Sequence, residues 1–554
     1  MSRLADSAQV GGGFAVWDQV YMPVANSLPL SAACAALPIL VLLVSLGLVR
    51  MSAWKSGLLG LATACLVAKW IYGMPLPLVL SSAAYGAAFG LLPIVWIVYW
   101  AVALYRLTVD TGQFEIIKDS VGRLTQDPRL QALLIAFAFG AFIEGAAGFG
   151  TPVAVAAAML TGLGFAPFQA AAISLIANTS PVAFGAIGTP LVTLAGVTNL
   201  PLGVLSADVG RICAPLSLFI PSYLMLVMGG WSALRAALPA AAVCGFCFAA
   251  TQLYVSNYIG PYLTDILSSL AAIAGLLVLL RFWRPATPMA SAAGSAARPH
   301  RLPTSTLLRA WSPYILLVIF VLLWGMTPVK ALLDKATFVL AWPGLDGQIR
   351  RLAPVVASPA PYAAKFTLNL LSASGTSALF ATFGTALMLR VPPRKLIASI
   401  GRTSRDLLLP IVTIMCVVAL AYVMNYSGTT ATLALALAAT GALFPFFSPV
   451  LGWLGVFLTG SDTSSNALFG NLQVVTANKL GLSPTLMAAA NSSGGVMGKM
   501  VSLQSISVAA AATGMPREDE AKLFRFTFRH SVFLAAVIGL IVTIYAYLLP
   551  HATL

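Results

Sequence analysis

Apolar runs long enough to cross a lipid bilayer recur from one end of this 554-residue chain to the other, and that leaves few folds open. A membrane's hydrocarbon core is crossed by about 20 mostly apolar residues in a helix. Candidates include Leu30 to Leu48, Leu76 to Leu107, Leu130 to Ile143 and Ser531 to Leu549. Inside lipid the backbone has no water to bond, so helices that satisfy their own N–H and C=O groups are favoured over open sheets. Only 8% of the residues are charged, against roughly 25% in soluble proteins. The expected fold is an all-α polytopic membrane protein with roughly 11 to 14 transmembrane helices. The first 26 residues are polar and Gly-rich, and the apolar stretch after them can span, so it reads as a retained helix and not a cleaved signal.

A formal charge of +15 raises nucleic acid as a partner, but the Lys and Arg residues sit in short segments between apolar runs. That is the positive-inside pattern of a multi-pass protein of the cytoplasmic membrane, with lipid as its surroundings. The richest segments, Arg281 to Arg309, Arg390 to Arg405 and Arg517 to Arg529, are assigned to the cytoplasm; Lys330 to Arg351 is also basic and competes with that assignment. Cys244 and Cys247 form a CxxC inside an apolar run with no second pair near, which reads as packing and not as a metal or redox site.

The segment 283–309, rich in Ala, Ser, Pro and Arg, reads as a cytoplasmic linker between a first transmembrane half, 1–282, and a second, 310–554. Internal similarity supports two halves. Ser120 to Asp127 aligns with Ser399 to Asp406, Thr161-Gly162 with Thr440-Gly441, and, after a short slip, Thr179 to Gly185 with Ser464 to Gly470. Repeat-related halves around a midplane site, built from broken or re-entrant helices, are a transporter pattern.

Two carboxylates stand out because their surroundings are apolar. A charge at membrane depth costs about 2.5–3.5 kcal/mol on insertion scales and is a functional candidate by default. Glu144 lies some 14 residues, about 21 Å, into its helix; Asp462 lies in Gly460 to Asn466. Either could be a structural, hydrogen-bonded carboxyl or a proton carrier, since loss of water penalises the charged form. After Glu144 come Gly145, Gly148, Gly150, Thr151 and Pro152, with no preceding strand to make them a nucleotide loop. They read as a helix break whose freed backbone groups, Gly148, Gly150 and Thr151 among them, can bind a carboxylate. Further polar breaks are Asn178-Thr179-Ser180-Pro181, the stretch with Ser461, Ser464 and Ser465, and Asn491-Ser492-Ser493. Each alone could be interhelical hydrogen bonding; together they suggest discontinuous helices around a substrate. Lys499 is the deep cation that would pair with a substrate carboxylate, against the alternative of a structural salt bridge to Asp462 or Glu144; Lys365 is a weaker candidate near a helix start. No histidine is expected at membrane depth, since His300 and His530 fall in basic segments and His551 near the C-terminus. Without a general base or metal set, an intramembrane enzyme is disfavoured.

Leu104 to Phe114 (LYRLTVDTGQF), Phe142 to Val153 (FIEGAAGFGTPV), the IANTSPVAF ending at Phe184, Thr459 to Gln473 (TGSDTSSNALFGNLQ) and Asn491 to Ser505 (NSSGGVMGKMVSLQS) resemble the L-lactate permease family. The resemblance covers most of the chain between residues 30 and 550. It implies proton-coupled uptake of lactate, with glycolate and other short 2-hydroxy acids as related substrates; no cofactor or metal is expected. Thr151, where a small apolar residue is expected, and Leu503, where proline is expected, depart from the pattern and flank the expected site. A carrier of another organic anion, or one driven by sodium, remains the alternative within the same class.

Overall fold

A computed structural model describes residues 16–549, apart from 123, 149 and 286–302. Most of the expected linker therefore lies outside the described residues. Among those described, nine helices are long and apolar enough to cross a membrane, or ten if the bent pair Pro167–Ala177 and Val182–Thr198 is one span. The count is below 11 to 14 because helices do not map one to one onto apolar runs. Thr151–Gly162 has 12 residues, about 18 Å of helix against a core of about 30 Å, so it turns back instead of crossing. In the other direction, the 57-residue helix Leu202–Tyr258 is two arms broken at Gly229 and Gly230, the latter at φ +65°. Its ends lie side by side, with Ser206 Oγ donating to the Ser256 carbonyl at 2.8 Å.

Two helical hairpins define the centre. The first runs inward along Pro128–Ala146, turns at Gly148 and Gly150, and returns along Thr151–Gly162, which packs against the first arm and Pro167–Ala177. The second runs inward along Phe444–Thr459, turns at Gly460 and Ser461, and returns along Asp462–Leu480. Ser465 Oγ donates to the Gly452 carbonyl at 3.0 Å across the second pair of arms. The first hairpin opens on the face where the broken span begins at Pro167. The second returns to the face where that span ends, because Gly470 packs on Leu194, Val197 and Thr198. The hairpins therefore enter from opposite faces. Each is followed by a broken span: Pro167–Ala177 bends by 64° into Val182–Thr198, and Pro484–Lys499 is interrupted before Leu503–Thr513.

This arrangement corrects one internal alignment. Thr179 to Gly185 forms a break, whereas Ser464 to Gly470 lies in a continuous helix. Asn491-Ser492-Ser493, expected as a further break, likewise lies inside the continuous helix Pro484–Lys499; the interruption of that span comes after Lys499, at 500–502. The two halves also interleave: Gly86 of the first lies against the backbone of Ala419 in Pro393–Ser427, and Trp96 Nε1 donates to Thr376 Oγ1 at 2.9 Å.

Thr304–Gly325 carries the chain from the linker face to the opposite one, so Lys330 to Arg351 lies on the face away from the linker. Short strands occur there: Trp17–Asp18 pairs in parallel with Ile349–Arg351, and Phe338–Ala341 pairs with Lys365–Leu368. Arg350 donates to Asp18 at 2.7 and 2.8 Å and holds that carboxyl below its ordinary range. Arg351 stacks over Tyr362. Part of the competing positive charge is thus paired locally. Lys365 is an exposed strand residue and not at a helix start, which removes it as a site candidate. Gln19 Nε2 reaches from this face to the carbonyls of Asn425 and Tyr426, at 2.9 and 2.8 Å, satisfying groups freed where Pro393–Ser427 ends at Gly428.

The second hairpin meets its broken span at backbone contact. A Cβ on Gly494 would lie 2.0 Å from the Pro449 carbonyl oxygen, and one on Gly498 2.4 Å from that of Trp453. These glycines, four apart, let the helices touch as small residues do in membrane bundles. Gly494→Val is expected to force them apart at about 1–3 kcal/mol or more. The check is a lower unfolding temperature of the purified protein in detergent; unchanged stability would mean the crossing can widen freely.

Candidate functional site

The hairpin tips and span breaks converge on one buried polar cluster. Some groups lie at helix ends, as Asp462 does, and others, such as Glu144, Asn466, Asn491 and Ser492, project from helix within a turn or two of a tip or break. On the first hairpin the helix ends at Ala146, and Gly148 (φ +62°) and Gly150 (φ +81°) make the turn in a conformation that favours glycine. Gly150 caps the returning helix with no side chain, so Thr151, half-buried, presents a helix N-terminus toward the tip. Glu144 sits one turn before the break, 4% exposed, and its Oε2 has no hydrogen-bond partner among the described residues.

The break in the first span faces this carboxyl. Ala186, Ile187 and Gly188 are all left-handed, a strained conformation for a β-branched residue. A Cβ on Gly185 would lie 2.7 Å from Glu144 Oε1, so glycine there clears the carboxyl's place. Asn178, 3% exposed, also faces Glu144. Thr179 Oγ1 instead bonds back to the Ile176 carbonyl at 2.7 Å, and Ser180 Oγ has no partner among the described residues.

The second hairpin supplies Asp462 as the first residue of its returning helix, capped by Ser461, whose Oγ accepts from the Ser464 N–H at 3.2 Å. Asp462 Oδ2 accepts from Ser492 Oγ at 2.6 Å and from Asn466 Nδ2 at 3.3 Å. Asn466 Nδ2 also donates to the Pro190 carbonyl at 3.1 Å, tying this hairpin to the first broken span. Asn491 donates to Asn466 Oδ1 at 2.9 Å and accepts from Gln473 Nε2 at 3.2 Å. Ser465 is spent on holding the hairpin together, and Ser493 lies against Cys213.

Lys499 ends the helix leading to the second break, 6% exposed, and donates to the Gly460 carbonyl at 2.7 Å. No carboxylate among the described residues lies within the 4.0 Å of an ion pair to it. The structural salt bridge to Asp462 or Glu144 is therefore not formed, although its charge reaches both carboxyls. An ammonium held by one carbonyl keeps donors for an anion.

Two features were not read from the sequence. Asp265 follows the turn at Gly260 and resembles a loop acid, yet it is 1% exposed and its Cβ is 2.7 Å from where a Gly145 Cβ would stand. Its only sequence signal is a short apolar distance to the next span. His530 is not in a loop: it lies within the helix Arg517–Tyr547, with Nδ1 2.5 Å from the Tyr223 hydroxyl. Of the departures from the family pattern, Thr151 flanks the first tip, and Leu503 begins the helix after the second break. Cys244 and Cys247 are free thiols, the first fully buried.

A family model described as L-lactate permease matches residues 31–549. Glycolate permease GlcA of Escherichia coli K12 is 46% identical over 551 residues, covering 96% of this chain and 98% of the relative. The L-lactate permease of Bacillus subtilis 168 is 46% identical over 554 residues, 95% and 97% of the two chains. That of Escherichia coli K12 is 43% identical over 546 residues, 96% and 99%. Among solved structures, the YdaH transporter of Alcanivorax borkumensis is similar at TM-score 0.44 and 15% identity, covering 84% of this chain and 86% of that one. MtrF of Neisseria gonorrhoeae is similar at TM-score 0.44 and 13% identity, covering 85% and 84%.

Proposed function

Since this multi-pass membrane protein belongs to the L-lactate permease family, we propose that it is a secondary transporter carrying L-lactate and related 2-hydroxymonocarboxylates, D-lactate and glycolate included, together with protons. The observation that supports this best is the buried Lys499 ammonium, which donates to the hairpin-tip carbonyl of Gly460 and is set among carboxyls from both hairpins. The substrate carboxylate pairs with Lys499 and with the helix N-terminus at Thr151, where Gly148 and Gly150 leave the backbone open to a close approach. The hydroxyl of Ser180, which has no hydrogen-bond partner among the described residues, the hydroxyl of Ser493 and the amide of Asn178 are the groups suited to the 2-hydroxyl, with Asn491 and Ser492 holding Asn466 and Asp462 beside them.

The proton follows from charge. A lactate anion with one proton crosses with no net charge to carry through a low-dielectric interior. Glu144, whose Oε2 lacks a donor, serves as the proton carrier. Asp462, with Ser492 and Asn466 donating to it, serves ionised as the counter-charge of Lys499. Alternating access comes from the opposed hairpins opening one face at a time.

The test is uptake of labelled L-lactate into proteoliposomes under an imposed pH gradient, with glycolate, D-lactate and pyruvate as competitors. Accumulation should require the gradient and be competed by glycolate. Uptake that follows sodium at fixed pH would replace the proton by sodium.

A further inference from the structure

We propose that Asp265 is a second proton-holding residue of the transport cycle, sharing one proton with Glu144 across the space that Gly145 leaves open between their helices. The inference deepens the proton-coupled reading above and rests on it.

Asp265 is in the first turn of Thr264–Phe282, where the helix dipole favours an acidic side chain. It is nevertheless buried, and both its oxygens lack a hydrogen-bond partner among the described residues. Its side chain turns to Gly145, next to Glu144, and the two carboxyls interact. Two glycines make room for the pair, Gly145 for Asp265 and Gly185 for Glu144. Asn178 brings a buried amide to the same place, against Glu144. Such an amide suits a carboxyl pair, donating to the ionised member and accepting from the protonated one.

Two buried carboxyls that feel each other's charge do not both ionise readily, and one proton held between them gives the partnerless oxygens a donor. The groups facing Asp265 are Glu144 from the first hairpin and the Cys213 thiol from Leu202–Tyr258. The packed segment Ala132–Phe139 is wholly apolar. On Leu202–Tyr258, Asp208 lies beside Arg211, and both face Tyr545. Lys499 reaches Glu144, and Asp462 reaches Cys213. During transport the proton bound to Glu144 Oε moves to an Asp265 Oδ and back, with no other bond changed.

The full-length protein in proteoliposomes tests this with Asp265→Asn, Glu144→Gln and the double variant. Removing the neighbouring charge lets Glu144 release its proton more easily. The midpoint of pH-driven accumulation in Asp265→Asn should therefore move toward acid by about one unit, tenfold in proton concentration. A shared proton also gives one carboxylic-acid carbonyl band in the infrared spectrum, shifted in heavy water. Each single variant should displace or remove that band, and the double variant should add no further loss. Asp265→Glu, which keeps the charge if the amide variant is poorly recovered, should displace the same band. Unchanged bands in the Asp265 variants, or two bands lost independently, overturn the pair. If the wild type shows no pH-driven accumulation, the coupling reading fails, and the infrared result still decides the pair.

Discussion

Glu144→Gln is expected to abolish concentration of lactate under a pH gradient while leaving exchange of lactate across the membrane when both sides contain substrate. Glutamine mimics the protonated carboxyl in shape and charge, and the space cleared by Gly185 accepts it. A carrier locked in its proton-loaded form can still move substrate back and forth, but it cannot draw on the gradient. The accumulation ratio should fall to about 1, with exchange kept within a few-fold of wild type, because no substrate contact is removed. Asp462→Asn should behave differently. Its Oδ2 accepts two donors, and an amide can accept them through its oxygen, but the negative charge that balances Lys499 is lost. Both accumulation and exchange should therefore fall, on the order of 100-fold for a buried counter-charge. Parallel measurement of the two assays decides. If Glu144→Gln still concentrates lactate while Asp462→Asn exchanges without accumulating, the two roles are reversed.

Lys499→Ala is expected to weaken lactate binding on the order of 100-fold or more, about 3–5 kcal/mol, since the substrate carboxylate would be buried without a cation. The change also frees the Gly460 carbonyl, so some loss of stability accompanies it, about 1–3 kcal/mol for an orphaned buried acceptor. The two effects separate by measuring lactate's protection against thermal unfolding in protein recovered from the membrane. Wild type should be protected and Lys499→Ala should not. Lys499→Arg should restore only part of the affinity, because a planar fork does not present its donors as an ammonium does. Normal lactate protection in well-inserted Lys499→Ala would remove this residue from the site.

The sequence by itself determined the class of molecule and most of the polar groups at its centre. Apolar length, scarce charge and basic connecting segments report how each stretch partitions between water and lipid, and partitioning is a local property that composition carries. Glu144, Asp462 and Lys499 were legible for the same reason: a charge within an apolar run is costly wherever the run folds. The glycine and serine breaks beside them were legible because broken helices need residues that tolerate freed backbone groups.

What partitioning does not carry is which way a segment turns after it breaks. Only the tertiary structure showed that Thr151–Gly162 returns to its own face, that the second hairpin enters from the other, and that Asn491-Ser492-Ser493 lies inside a helix whose break comes only after Lys499. The same limit explains Asp265, Lys499 and His530. A carboxylate after a turn reads as solvated until Gly145 brings another helix onto it. Nothing in the local sequence reveals that Lys499 bonds a hairpin-tip carbonyl instead of a nearby acid. A histidine among basic residues reads as a loop until Tyr223 packs on it within a helix. Each depends on contacts between residues far apart in the chain, and those arise only once helices cross closely enough to exclude both water and lipid.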